Sequence, residues 1–369
     1  MTPQRLPLGT PEKPRKAAAP RRRRLSLDEY TAGISAGDRT VLARAITLIE
    51  SSRPADRELA EQILETCKEH RNDSIRVGIT GPGGAGKSSL IETLGLYLTR
   101  ERRQKVAVLA FDPSSQLSGG SILGDRTRMT SLAGEEMAFI RPSPSRGSFG
   151  GVGQRTREAV LLCEAAGYRN ILVETVGAGQ SETAVRETVD CMVLVALSNA
   201  GDELQGVKRG VMELTDLVVI NKADGNNIDA AERARSVAQD ALHFFPASPS
   251  GWTPRAITCS AKTGKGMDEL WNAVLEFIDV ARNNGWLMRA RRRQRRFWMR
   301  EMIEQELTRR FESHPLVRQQ QAELERLVSE GKTTPFMAAR SLLRTYFGPL
   351  AETASPRAQR PAGSKQNDG

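Results

Sequence analysis

The nine residues Gly81 to Ser89, GPGGAGKSS, constrain this chain more than any other stretch. They follow the apolar run Ile75 to Thr80 and fill the pattern G-x-x-x-x-G-K-[ST] with Gly81, Gly86, Lys87 and Ser88. The glycines Gly81, Gly83, Gly84 and Gly86 admit positive φ, so successive N–H groups from Gly81 through Ala85 to Ser89 can turn toward one anion. A helix expected over 87–102 adds its free first-turn N–H groups and the positive end of its dipole. Lys87 is placed to reach the outer phosphates of a nucleotide, and the Ser88 hydroxyl to hold a magnesium ion bridging them. Such a loop needs a strand before it and a helix behind it, which commits the flanking chain to that order.

The rest of the sequence keeps to it. Strands are expected at Ile75 to Thr80, Lys105 to Phe111, Met137 to Arg141, Asn170 to Glu174, Cys191 to Leu197, Leu217 to Asn221 and Arg255 to Cys259. They are short, rich in Val, Ile and Leu, and do not alternate with polar residues, the pattern of strands covered on both faces. Helices are expected over 87–102, 152–166, 182–189, 203–214, 228–241 and 266–282. The fold class is therefore α/β, a doubly wound and mostly parallel sheet whose ligand belongs at the carboxyl ends of the strands. Five segments follow: a basic tail over 1–25, a helical extension over 26–71, the nucleotide domain over 72–285, a helical arm over 286–348 and a polar tail over 349–369. Helix starts are expected at Ser26-Leu27-Asp28-Glu29 and Gly37-Asp38-Arg39-Thr40. In the arm, Met299, Ile303, Leu307 and Phe311 form an apolar stripe that must be buried on the main domain or on another subunit.

Composition excludes several classes. The longest apolar run, Cys191 to Leu197, is too short to cross a bilayer, so no membrane partner is expected. Cys67, Cys163, Cys191 and Cys259 are dispersed without C-x-x-C spacing, which suits reduced thiols and a cytoplasmic location, with an organelle matrix as the alternative. The three histidines are equally scattered and offer no zinc or nickel site. Net charge is +10, concentrated in the first 24 residues, where eight basic residues face Glu12 alone, and in the RARRRQRR run Arg289 to Arg296. The tail reads as a solvated segment, a transit peptide or a polyanion contact. The second run reads as a helix face paired with acidic groups, because no nucleic-acid-binding module accompanies it.

Each remaining motif falls at the end of a strand. Asp112 follows the second strand and faces the phosphate loop as a magnesium ligand. The Ser- and Gly-rich run Ser114 to Arg128 contains one acid, Asp125, a second magnesium or water-positioning candidate, or else a helix cap. Glu174-Thr175-Val176-Gly177 stands where phosphate-loop GTPases place Asp-x-x-Gly, so Glu174 is the third metal candidate, and Gln180 could orient an attacking water. Asn221-Lys222-Ala223-Asp224 selects the base: the Asp224 carboxylate matches guanine's ring N–H and exocyclic amine, each bond worth about 1.5–3 kcal/mol. Lys222 would lie along the base plane, and Ser260-Ala261-Lys262 would bring a backbone N–H to the guanine carbonyl.

Together the runs ITGPGGAGKSSLIETL, FDPSSQLSGGSILGDRTRM, FIRPSPSRGSFGGV, ETVGAGQSE, AGDELQGVKRGVMEL, NKAD and RRRQRRFWMREMIEQEL resemble the MeaB/ArgK/MMAA family of metallochaperone-like P-loop GTPases over about residues 35–347. The resemblance implies GTP/GDP and Mg2+ as cofactors, with Ser88, Asp112, Asp125 and Glu174 around the metal. It implies slow hydrolysis, accelerated by an adenosylcobalamin-dependent acyl-CoA mutase, methylmalonyl-CoA mutase being the leading case, whose cofactor loading and exchange the protein gates. It implies a homodimer joined through the arm, and a segment Ala200 to Lys208 that passes nucleotide state to the mutase. Gly83 stands where the family more usually has proline, and Leu197-Ser198-Asn199 replaces a proline-containing turn. Two rivals remain: a nickel or zinc metallochaperone of the same class, and an RNA-associated GTPase.

Overall fold

The computed structural model describes residues 23–51, 53–68, 73–111, 129–142, 152–175, 181–198, 209–246 and 248–348. Seven strands form one sheet: β1 Ile75–Thr80, β2 Val106–Phe111, β3 Ala138–Arg141, β4 Asn170–Thr175, β5 Cys191–Leu197, β6 Leu217–Asn221 and β7 Arg255–Thr258. Their order is β3-β2-β4-β1-β5-β6-β7, and every neighbouring pair is parallel. The phosphate loop thus leaves the central strand, with β4 and β5 on either side.

Helices cover both faces because alternate strand residues point to opposite sides and are apolar on both. One face packs Val77, Ile79, Val108, Leu172, Val193 and Val219 against α4 (Lys87–Arg100) and α10 (Met267–Asn283), with the short α5 (Thr130–Ala133) at its border. The other has two patches. Leu109, Ile171 and Val173 pack against α6 (Val152–Ala165) and the N-terminal helices α1 (Leu27–Ser35), α2 (Arg39–Glu50) and α3 (Pro54–Cys67). Leu194, Val218 and Ile220 pack against α9 (Ile228–His243), beside the short α8 (Arg209–Glu213). Helices α1 and α2 begin where their sequences predict. Ser26 and Glu29 form a reciprocal capping box, and the Asp38 carboxylate accepts from the N–H groups of Thr40 and Val41. All four cysteines are buried free thiols, and no helix among the described residues is long and apolar enough to cross a membrane.

The amino edge of the sheet is locked by charge. Arg76 on β1 makes two bonds to the buried Glu164, at 2.8 and 2.9 Å. Asp190, just before β5, takes the Arg76 N–H and both arms of Arg291 at 2.8 and 2.6 Å. Burial alone would raise the Asp190 carboxyl, but the guanidinium groups of Arg291 and Arg76 outweigh it and hold the group below the ordinary carboxylate range. Arg291 belongs to α11 (Trp286–Ser313), the helix that carries the RARRRQRR run, so one of its arginines pairs inward with an acid of its own chain. Beyond α11 lie α12 (Pro315–Ser329) and α13 (Pro335–Phe347). The stripe residues Met299, Ile303 and Leu307 are about half exposed, as are Met337 and Phe347, so this chain alone does not bury them.

Candidate nucleotide site

The four glycines of the phosphate loop divide into three kinds. Gly81 and Gly86 have no substitute on either conformation or space. Gly81 has φ +146°, and a Cβ there would lie 2.2 Å from the Val195 carbonyl oxygen of β5. Gly86, at φ +87°, is the residue from which α4 starts, and a Cβ on it would meet Asn221 Nδ2 at 2.6 Å. Gly84 keeps the expected positive φ, +80°, but it is exposed and a Cβ on it would touch nothing within 4 Å. Glycine is favoured at Gly84 by backbone conformation alone, so no close approach of protein enforces it, contrary to the pattern at Gly81 and Gly86. Gly83 departs from the expectation outright: its φ is not positive, and a Cβ would again touch nothing within 4 Å. No side chain caps the first turn of α4, leaving its N–H groups for an anion. Lys87 Nζ donates to the carbonyls of Gly81 (2.7 Å) and Pro82 (3.0 Å), drawing the loop's two ends together.

Ser88 and Glu174 meet. The Ser88 hydroxyl donates to Glu174 Oε1 at 2.7 Å, so the start of α4 and the carboxyl end of β4 present two oxygen ligands side by side. This pair fits a magnesium ion. Both donors are hard oxygens, and no cluster of three or more His, Cys, Asp or Glu side chains among the described residues could instead form a protein-only cage. The other two metal candidates, Asp112 and Asp125, lie outside the described residues, as do Gln180 and the Ala200 to Lys208 segment.

The base-reading loops are tied to the phosphate loop by one side chain. Asn221, 1% exposed, donates from Nδ2 to the Ala85 carbonyl (2.9 Å) and accepts at Oδ1 from the Ala261 N–H (3.1 Å). Beside it the half-buried Asp224 accepts from Ser260 Oγ at 2.5 Å, which orients the carboxylate. Lys222 is exposed and adopts φ +62°, a conformation that costs a non-glycine residue about 1–2 kcal/mol. The bonds around it hold that turn. Its carbonyl accepts from Asn227 Nδ2 (2.7 Å), Ser198 Oγ donates to Asn227 Oδ1 (2.8 Å), and the Ala223 N–H donates to the Cys259 carbonyl (2.9 Å). Lys262 is exposed at the rim. Sequence reasoning missed Thr93, whose hydroxyl donates to the Ala261 carbonyl at 2.6 Å and ties α4 to the Ser260 loop. It also missed the Ser198–Asn227 relay. Threonine within a helix and asparagine after a turn carry no motif, so neither had a signal.

A phosphate loop on the central strand of a parallel sheet, with an N-K-x-D turn bonded to it two strands away, defines a P-loop nucleotide-binding α/β protein. The sequence model of the family described as "Methylmalonyl Co-A mutase-associated GTPase MeaB" matches residues 42–315. This chain belongs to that family of GTPases. It is 46% identical over 282 residues to the GTPase ArgK of Escherichia coli, covering 76% of this chain and 85% of that one. It is 43% identical over 330 residues to the mitochondrial methylmalonic aciduria type A homolog of Mus musculus, covering 87% and 79%. A crystal structure described as a LAO/AO transport system kinase is similar with a TM-score of 0.68 and 37% identity, over 87% of this chain and 97% of that one.

Proposed function

We propose that this chain is a guanine-nucleotide switch that hydrolyses GTP and, through its nucleotide state, guards the loading and exchange of cobalamin in an adenosylcobalamin-dependent acyl-CoA mutase, with methylmalonyl-CoA mutase as the partner. The observation that carries the nucleotide half is Asn221, which fixes the Asp224 turn and the Ala261 loop to the phosphate loop at Ala85. Base and phosphates are thereby read by one connected frame. The partner half rests on the family's description and on the mouse relative's name.

Within that frame the Gly81 to Ser89 backbone cradles the phosphates, with Gly83 and Gly84 forming its open crown. Lys87 swings from the Gly81 and Pro82 carbonyls to the outer phosphate oxygens, and Asp224 holds the guanine edge. Ser88 and Glu174 would hold the magnesium ion, together with Asp112 and Asp125. Magnesium, when bound, would neutralise negative charge on the phosphates. Gln180, five residues after β4, orients the attacking water. The exposed stripe on α11 and the apolar residues of α13 form the contact of a homodimer, and the five segments 1–25, 26–71, 72–285, 286–348 and 349–369 divide the labour accordingly.

The test has two arms. GTP with magnesium is expected to protect the full chain against heat and ATP is not, and Asp224→Asn is expected to weaken GTP binding by at least tenfold, from loss of about 1.5–3 kcal/mol per charge-assisted bond. Equal protection by ATP would overturn the base assignment. Separately, the purified mutase is expected to accelerate GTP turnover; unchanged turnover with a loaded mutase would overturn the partner assignment while leaving the first arm intact.

A further inference from the structure

Along α11, five arginines line a groove of about 470 Å³ that also takes in Glu187, the residue following α7 (Ser181–Arg186). Arg289, Arg293, Arg296 and Arg300 follow at intervals of four, three and four residues, so their side chains form one row about 17 Å long, flanked by Arg292. All five are exposed. Among the described residues Arg292, Arg296 and Arg300 have no ion-pair partner, and Arg293 stands 4.0 Å from Glu187. A helix whose inner arginine is matched so closely, Arg291 on Asp190, carries on another face a row in which Arg293 alone meets an acid among the described residues.

We propose that this groove is a docking site for the acidic face of a helix on a partner protein. The spacing specifies a helix: acids placed four, three and four residues apart on a facing helix meet each arginine in turn. The chain's own ends are the wrong sign or nearly neutral, since residues 1–24 carry eight basic groups against one acid and residues 349–369 three against two. A second copy joined through the apolar stripe of α11 does not supply the acids for the groove either. A two-fold contact that closes the apolar half of α11 on itself, Ile303 against Leu307, sets Arg300 of one copy against Arg310 of the other. Phosphate polymers fit less well than protein, because Glu187 faces the row and its buried Oε2 accepts no hydrogen bond among the described residues. A protein segment can set a neutral or basic group beside the Glu187 carboxylate, whereas a phosphate backbone brings only more negative charge. Phe297, 39% exposed within the groove, offers such a segment an apolar contact.

The probe is a labelled helical peptide with glutamates at alternating four- and three-residue spacing, together with a scrambled peptide of the same composition, measured by fluorescence anisotropy on the full chain. R293E/R296E is expected to weaken binding of the patterned peptide by about tenfold or more, R293Q/R296Q by less, and R15E/K16E in the tail by under about twofold. Circular dichroism of each variant checks that it folds. The proposal is overturned if the scrambled peptide binds equally well, if the tail variant loses as much as the groove variant, or if single-stranded RNA or inorganic polyphosphate occupies the groove more tightly than the peptide.

Discussion

Replacing Asn221 with alanine removes the two amide bonds that join the loops, and with them a longer contact in which Cys259 Sγ donates to Asn221 Oδ1 at 3.7 Å. The Ala85 carbonyl is fully buried, so losing the Nδ2 donor leaves an acceptor that water does not reach. The Ala261 N–H is only half-buried and can turn partly to solvent. An orphaned buried group costs about 1–3 kcal/mol, so the pair amounts to roughly 2–4 kcal/mol, weighted toward Ala85. At about 1–2 °C per kcal/mol for a chain of 369 residues, Asn221→Ala should lower the nucleotide-free melting temperature by roughly 3–6 °C. GTP affinity should fall in the same variant by about tenfold or more, because the phosphate loop and the base loops lose their common register. Asn221→Asp separates the two bonds: its carboxylate still accepts from Ala261 but sets an oxygen against the Ala85 carbonyl, so it should be at least as damaging as alanine. Differential scanning fluorimetry with and without GTP reads both effects. A melting temperature within about 1 °C of the parent with GTP affinity intact would refute the view that this side chain joins the loops.

Arg291→Ala should cost about 3 kcal/mol, the lower end for breaking a buried pair, because Arg291 keeps some solvent contact while Asp190 has none. The Asp190 carboxyl is depressed in the fold, so its contribution is full above its unfolded value of 3.8 and is lost as pH falls through the folded value. The stability gap between parent and variant in urea titrations should therefore be widest near neutrality and narrow below about pH 4; a gap independent of pH would reject the assignment. In the arm, I303D/L307D should convert a homodimer to monomer by light scattering at micromolar concentration, and a parent chain that is already monomeric would remove the case for that interface.

How far the sequence carries depends on whether the signal is local. Strands β1, β5 and β6 have the predicted ends because each is followed at once by a glycine, serine or lysine that opens a turn. The other strands differ by a residue at one end, where a polar residue such as Lys105 or Thr175 could belong to either strand or loop. Caps at Ser26 and Asp38 were legible because a side chain three residues or fewer from its partner needs no tertiary information. In the site, Lys87, Ser88, Glu174 and Asp224 are set by motif and strand order, which fix chemistry and edge together. The motif's glycines were legible as a group but not one by one. What separates Gly81 from Gly84 is the Val195 carbonyl of a strand more than a hundred residues away. The work of Asn221 was hidden for the same reason. Read as a guanine contact, it uses both ends of its amide on loops 136 and 40 residues away. In the arginine run, composition cannot distinguish Arg291 from its neighbours; only the helix phase turns it toward Asp190 and the others outward.

That division of α11 has a consequence for how the two edges of the sheet communicate. Helix α7 begins at the carboxyl edge, just past Glu174 and the segment that follows it, and ends at the amino edge where β5 starts. Its departing carbonyls are held from α11: Gln294 Nε2 donates to Val189 (2.8 Å) and Arg186 (3.4 Å), and Trp298 Nε1 donates to Glu187 (2.6 Å). A displacement of α7 along its axis must break or drag these bonds, each worth about 1 kcal/mol net. Together these three bonds contribute about 3 kcal/mol to holding the end of α7 on α11, beside the stacking of Arg186 over the Trp286 ring. A looser joint would let α7 move without α11 feeling it, and a deeper hydrophobic weld would hold it against any change at the nucleotide. Polar bonds to three carbonyls at and just past the end of α7 give a joint held by hydrogen bonds as well as by apolar burial.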